Sequence, residues 1–337
     1  MKILVTGSAG FIGFHTSKKL LNMGYEVVGI DNYNDYYDVE LKKARSKILK
    51  ENSKFSEEVF DIADKDKMNS FFERHKPTHI VNLAAQAGVR YSIENPYTYI
   101  EANVCGFMNI LEGARAFDIK HLVYASSSSV YGSNTKMPFE TTQTTEHPMS
   151  LYAATKKSNE LMAHAYSNLF NIPTTGLRFF TVYGPWGRPD MALFLFADAI
   201  NKGEPIKVFN EGKMKRDFTY VDDIVNGLIE LLLNNAPTIN KDFDTDNPDP
   251  SSSAVGPYRI HNIGNSKPVE LLNFISVLED KFEKKAIKNM MPMQPGDVNA
   301  TWADVSNLSK VTGYKPTTSV EEGVAKFVEW YKDYYKV

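Results

Sequence analysis

The first thirteen residues restrict this chain more than any other stretch. Lys2-Ile3-Leu4-Val5-Thr6 is a short apolar run, and Gly7-Ser8-Ala9-Gly10-Phe11-Ile12-Gly13 follows it directly. A helical pattern then runs from about Phe14 to Met23. Glycines at a turn between a buried strand and a helix let the main chain approach a pyrophosphate, which the helix N-terminus then holds. The spacing is GxxGxxG and not the commoner GxGxxG. A second strand, Glu26 to Ile30, ends in Asp31. An acid there suits the ribose hydroxyls of a dinucleotide and repels a 2′-phosphate, and no Arg follows closely, so the pattern favours NAD over NADP.

Further strands and helices alternate behind this opening. Glu58 to Ile62 reads as a third strand with Asp61 at its end, Thr78 to Ala85 as a fourth and His121 to Ala125 as a fifth, leading into Ser126-Ser127-Ser128-Ser129. Thr174 to Phe179 is a further strand, and the basic stretch within 32–52 reads as a solvated helical face. This alternation predicts an α/β fold built on a doubly wound (Rossmann) parallel sheet. Beyond Phe179 the pattern loosens. Ile206 to Phe209 is a short strand, Lys213 to Asp217 a basic loop suited to phosphate, and Val221 to Leu233 an apolar helix. Asn234 to Pro257 reads as an exposed excursion before a strand at Tyr258 to Ile263. The predicted division is 1–178 as the NAD-binding domain, with returning segments 219–235 and 258–264, and 179–337 as mainly a smaller mixed α/β substrate-binding cap.

Composition excludes several classes. A formal net charge of -3 over 337 residues gives no electrostatic footprint for nucleic acid. No apolar run is long enough to span a membrane, and the N-terminus reads as a strand, not a signal peptide. The single cysteine, Cys105, leaves no disulfide or cysteine metal site and points to a reduced, cytoplasmic setting; it reads as a small buried hydrophobe. No metal is expected. A long helical pattern from Asn95-Pro96 to Phe117 carries Ile100, Val104, Phe107, Ile110 and Leu111 on one face, and Tyr152 to Phe170 carries Leu161, Ala165 and Leu169. These helices could bury each other or meet a second copy in a four-helix interface.

Tyr152-x-x-x-Lys156 lies at the start of that second helix. Residues four apart share a helix face. A phenol has an ordinary pKa near ~10, and a neighbouring ammonium favours the phenolate, which makes the pair a tunable proton acceptor. The serine tract sits at the C-terminal end of a parallel strand, where hydroxyls face a ligand crevice.

From Gly7-x-x-Gly10-x-x-Gly13 through Ser127, Tyr152-x-x-x-Lys156 and Arg216-Asp217-x-x-Tyr220-Val221-x-Asp223 to Gly296-Asp297, the chain resembles the extended short-chain dehydrogenase/reductases of the nucleotide-sugar epimerase/dehydratase group. Within that group, Ala87 to Ser92 and Phe180 to Met191 look most like the UDP-glucuronate 4-epimerase branch. The resemblance implies an NAD site lined by Gly7, Gly10, Phe11, Ile12, Gly13, Asp31, Asn32, Asp61, Ile62, Ala84, Ala85, Gln86 and Asn103. It implies that Tyr152 takes the proton of the sugar 4-hydroxyl, that Lys156 holds the nicotinamide ribose and lowers the Tyr152 pKa, and that Ser127 bonds the 4-oxygen. Arg216 and Asp297 would hold UDP, Arg188 with Thr181 the uronate carboxylate, and Arg90 is the second choice for it. Gly88, Ser128 and Val208 complete the implied substrate set. Glucose-type epimerases usually carry an Arg where this chain has Gln294. The related 4,6-dehydratases and the decarboxylase carry acids just after the catalytic hydroxyl, where this chain has Ser128 and Ser129. UDP-glucose 4-epimerase is the nearest alternative; a non-catalytic NAD-bound regulator would usually lack the Tyr/Lys pair. The resemblance also implies a homodimer.

Overall fold

The structure, a computed structural model, describes residues 1–294 and 298–337. Seven strands form its central sheet, in the order Tyr258–Ile263, Thr174–Phe179, His121–Ser127, His79–Asn82, Lys2–Thr6, Glu26–Asp31 and Phe55–Val59. Every pairing is parallel. The order of strands reverses between Lys2–Thr6 and His79–Asn82, which opens a crevice at their carboxyl ends. Side chains alternate across each strand, so Ile3 and Val5 join one apolar layer with Phe14, Leu20 and Leu228. Leu4 joins the other, with Phe71, Phe72, Phe107 and Ile110. The expected doubly wound α/β sheet is therefore the one observed.

The remaining elements build a smaller layer over the crevice. Pro205–Val208 pairs in parallel with Ile287–Met290, and the helices Ala192–Lys202, Leu271–Phe282 and Val320–Tyr335 pack around them. Asp217, fully buried, gathers this layer: its carboxylate accepts from the backbone amides of Asn265 (2.7 Å), Ser266 (3.0 Å) and Ala303 (2.9 Å). The short strand Lys215–Arg216 thus replaces the loop expected there. Among the described residues no helix is long and apolar enough to cross a membrane.

Four further expectations are corrected. The third strand is Phe55–Val59, three residues earlier than expected. It is an edge strand, so only Phe55 must reach the core, and its polar Ser56, Glu57 and Glu58 carry no apolar signal. The helix after Pro96 is interrupted by a π-helical segment, Ile100–Cys105, before Gly106–Ala116. A wider turn shifts the residues that follow around the axis. Within that segment Asn103 is buried, and Cys105 is exposed instead of buried. The helix Val39–Lys50 is not simply a solvated face, because Lys42, Arg45 and Ser46 are buried. Within the excursion, Ser251 to Ser253 are buried, held by Ile260 N–H to the Ser251 carbonyl (2.8 Å) and by His164 against Ser253 (2.9 Å).

One buried ion pair underlies the strand that ends at Ser127. Glu160 meets Arg178 through Nε–Oε1 (2.9 Å) and Nη2–Oε2 (3.0 Å), and accepts from the Ser126 hydroxyl (2.6 Å). Burial alone would raise the Glu160 carboxyl, but Arg178 holds it below the usual carboxylate range. Breaking such a pair leaves an uncompensated charge inside the protein. Glu160→Gln should cost roughly 3–5 kcal/mol in urea unfolding; an unchanged midpoint would show that Arg178 finds another partner.

Candidate active site

A cavity of about 1160 Å³ occupies the crevice between the sheet and the smaller layer. Its floor is the glycine turn. Gly7 has φ +69°, and a Cβ on Gly13 would lie 1.9 Å from the Gly7 carbonyl oxygen, so the turn closes only without side chains. Asp31 secures the turn by accepting from Ala9 N–H (3.1 Å) and Tyr33 N–H (2.9 Å). Burial pushes the Asp31 carboxyl up, and these amides together with the Lys42 charge oppose that. Asp61 lies beside it, accepting from Asn32 (2.8 Å) and from Ala63 N–H (2.8 Å). The Thr6 hydroxyl accepts from Leu83 N–H and Ala84 N–H, both at 3.1 Å, which fixes the neighbouring wall.

Gly7, Gly10, Phe11, Ile12, Gly13, Asp31, Asn32, Asp61, Ile62, Ala84, Ala85 and Gln86 all line the cavity. Asn103 does not. It is buried behind Gln86, accepting from its N–H (2.8 Å) and donating to its carbonyl (3.0 Å), so it orients that residue from outside the cavity. These residues fit NAD: a glycine cradle that any Cβ would fill, and two carboxylates at the sheet's carboxyl edge where ribose and adenine donors would lie.

The helix Leu151–Phe170 starts with Ser150, whose hydroxyl accepts from Ala153 N–H at 3.1 Å. That start places Tyr152 and Lys156 on one face, over the end of the Ser127 strand, and all three residues line the cavity. Lys156 is 3% exposed and donates to the Ala125 carbonyl at 3.0 Å. Burial lowers its pKa to about 8. Burial also raises the Tyr152 phenol, opposed by a hydrogen bond with Ser127 and by the charge of Arg188. In the protein alone desolvation therefore outweighs the depression expected from Lys156. Ser129 donates to the Ser127 oxygen through its N–H (3.2 Å) and its hydroxyl (2.9 Å), which fixes the Ser127 side chain.

Of the implied substrate set, Gly88, Arg90, Ser127, Ser128, Thr181, Arg188 and Arg216 reach the cavity. Arg188 is clamped by Asp190, with Nε to Oδ1 at 3.0 Å, and Asp190 also accepts from the Tyr36 hydroxyl at 3.2 Å. Arg90 stacks its guanidinium 5.0 Å from the Phe209 ring. Val208 is fully buried in the core and does not reach the cavity, which its neighbours Ile206, Lys207 and Phe209 line instead. Asp297 lies outside the described residues. Sequence reasoning missed Tyr36, Tyr37, Lys42 and Asp190, which also line the cavity. The Tyr/Asp-rich run after Asp31 was the available signal, but a loop has no period from which to place it. Among the described residues, no cluster of His, Cys, Asp and Glu could hold a metal ion.

A glycine turn, a Tyr/Lys helix face and a serine strand end around one cavity define a nucleotide-dependent sugar-modifying site. Residues 3–243 match the NAD dependent epimerase/dehydratase family, and the chain belongs to it. Over the full length of both chains it is 56% identical to Protein CapI of Staphylococcus aureus. It is 49% identical to a probable UDP-glucuronate 4-epimerase of Rhizobium meliloti, covering 100% of this chain and 98% of that one. The crystal structure of UDP-glucuronic acid 4-epimerase from Bacillus cereus, in complex with UDP-glucuronic acid and NAD, superposes with a TM-score of 0.87 at 34% identity, covering 99% of this chain and 100% of that one.

The depressed amine has a measurable consequence. Between the folded pKa of about 8 and the ordinary value of 10.5, the unfolded chain binds a proton that folded Lys156 has released. Stability should therefore rise with pH across that window. In protein stripped of nucleotide, the gain attributable to Lys156 between pH 8 and 10 should be on the order of 2 kcal/mol, read as the difference from Lys156→Met in chemical denaturation. Parallel pH profiles for the two proteins would place the charge elsewhere.

Proposed function

We infer that the protein catalyses NAD-dependent C4 epimerisation of UDP-glucuronate to UDP-galacturonate through a 4-keto intermediate. The observation that carries the reading is the convergence of Tyr152, Lys156 and Ser127 on one cavity that Thr181 and Arg188 also line. Ser128 and Ser129 occupy the positions after Ser127, and neither can act as a general acid or base near neutral pH. That supports simple epimerisation over dehydration or decarboxylation.

Bound NAD would supply a reversible hydride store. The chain's own residues manage the proton and the geometry. Tyr152 accepts the 4-hydroxyl proton and returns it to the same oxygen at the end of the cycle, while Ser127 donates to that oxygen and steadies the ketone. The Lys156 ammonium at the cofactor end offsets the cost of a buried phenolate. Arg216 holds the nucleotide end so that the keto sugar can present its other face, with Arg188 and Thr181 receiving the carboxylate. UDP-glucose 4-epimerisation is the second reading, favoured by one observation: Arg188 is already paired with Asp190, so a neutral C6 group leaves no unpaired cation there.

Residues 1–178, with 219–235 and 258–264, serve as the cofactor-binding part and 179–337 mainly as the sugar-binding cap. The single cysteine supports a reduced, cytoplasmic setting. We further propose a homodimer through a four-helix interface: Leu161 and Leu169 are 60% and 67% exposed on one helix, beside exposed Ile100 and Met108 on the next, which forms an apolar face that a second copy would cover.

Purified protein given UDP-glucuronate, UDP-glucose and UDP-xylose separately should epimerise the uronate, with products identified by NMR. Tyr152→Phe should lose over ~99% of turnover while keeping bound NAD; near-normal turnover would sink the mechanism. Light scattering should give a dimer's mass for the native chain and a monomer's for Leu161→Glu with Leu169→Glu. A monomeric native chain would remove the proposed interface.

A further inference from the structure

Arg45, the one arginine of the Val39–Lys50 helix, is 0% exposed, and no carboxylate among the described residues pairs with it. Its guanidinium instead bridges two loops that are far apart in sequence. Nη1 donates to the Ala9 carbonyl in the glycine turn (2.8 Å) and to the Tyr37 hydroxyl (2.9 Å). Nη2 donates to the carbonyls of Trp186 (2.7 Å) and Gly187 (3.0 Å), immediately before Arg188. A planar fork with donors at fixed angles can serve both loops at once, which an ammonium on a flexible stem cannot.

Two other contacts tie the same pair of elements. His15 Nε2 donates to the Pro185 carbonyl (2.9 Å), and since that oxygen can only accept, the tautomer is fixed. Burial lowers the His15 pKa to about 4, so the ring stays neutral. The Phe14 and Trp186 rings pack at 5.6 Å. Trp186 itself sits at φ +60°, a conformation that surrounding contacts must hold. The segment carrying Arg188 is therefore mounted on the cofactor turn and its helix.

We propose that Arg45 is a positioning residue for the nucleotide sugar: by joining the glycine turn to the 184–191 segment, it sets where the Arg188 guanidinium stands relative to the cofactor. The inference rests on the reading that Arg188 receives the substrate's anionic group. Arg45 touches neither substrate nor cofactor in this role. Its loss should shift substrate affinity more than turnover, because Tyr152 and Ser127 stand on other elements and the Arg188 charge is the smallest of the influences on the Tyr152 phenol, after burial and the Ser127 hydrogen bond.

The test is a double-mutant cycle on the NAD-loaded enzyme with UDP-glucuronate as substrate. Arg188→Ala should raise KM by about tenfold or more, and Arg45→Lys should raise it similarly, with kcat within about threefold and NAD retained. In the Arg188→Ala background, Arg45→Lys should add little, because both changes act through one guanidinium. Tyr37→Phe, which removes one orienting oxygen, should raise KM in the same direction by a smaller factor. A normal KM in Arg188→Ala would sink the reading of the site itself. A raised KM in Arg188→Ala with unchanged values in Arg45→Lys and Tyr37→Phe, or additive effects in the double variant, would overturn the inference alone. If Arg45→Lys does not fold, Tyr37→Phe decides: an unchanged KM there overturns it.

Discussion

The contact on which the molecule depends is one between main-chain atoms. Gly13 lies so close to the Gly7 carbonyl that no side chain fits, and this closeness lets the first helix start directly under the first strand. Asp31 braces the same turn from the adjacent strand through the Ala9 amide. Both halves of the cavity take their positions from this turn: the cofactor wall directly, and the 184–191 segment through Phe14, His15 and Arg45. Substituting at the glycines would therefore disturb the far rim as well as the floor.

At the reacting end, burial and charge oppose each other. Tyr152 and Lys156 each pay for leaving water, so the phenol is harder to ionise and the amine easier to neutralise than in solvent. The protein alone does not hold the phenolate. It holds a half-buried phenol one helical turn from a buried amine, where added positive charge is screened less than in bulk water. Ser127, fixed by Ser129, supplies the one neutral hydrogen bond that already favours ionisation.

Much of this was legible in the sequence because it rests on short-range rules. The glycine turn, the acid ending the second strand and the Tyr/Lys spacing each follow from local geometry, and twelve of the thirteen expected cofactor residues line the cavity. The exception, Asn103, stands one layer back, bonded to the Gln86 backbone, a placement that only tertiary contacts reveal. Val208 packs into the core while Ile206, Lys207 and Phe209 line the cavity, a difference that a strand of four residues does not signal. Lys42 and Arg45 were hidden for another reason. Charged residues in a basic helix read as solvated, and only tertiary contacts reveal two of them as buried. The clamp of Arg188 by Asp190 was likewise invisible, since two residues' separation in a loop specifies no geometry.

Asp217 makes the smaller layer behave as a single piece. Its carboxylate gathers the adjacent amides of 265 and 266 and that of 303, two segments distant from each other and from Asp217 in the chain, and the preceding residue is Arg216 at the cavity rim. A displacement of that rim must carry all of these segments with it or break several buried bonds at once. The rim of the cavity is thus fastened to the end of the sheet strand Tyr258–Ile263 through a buried carboxylate.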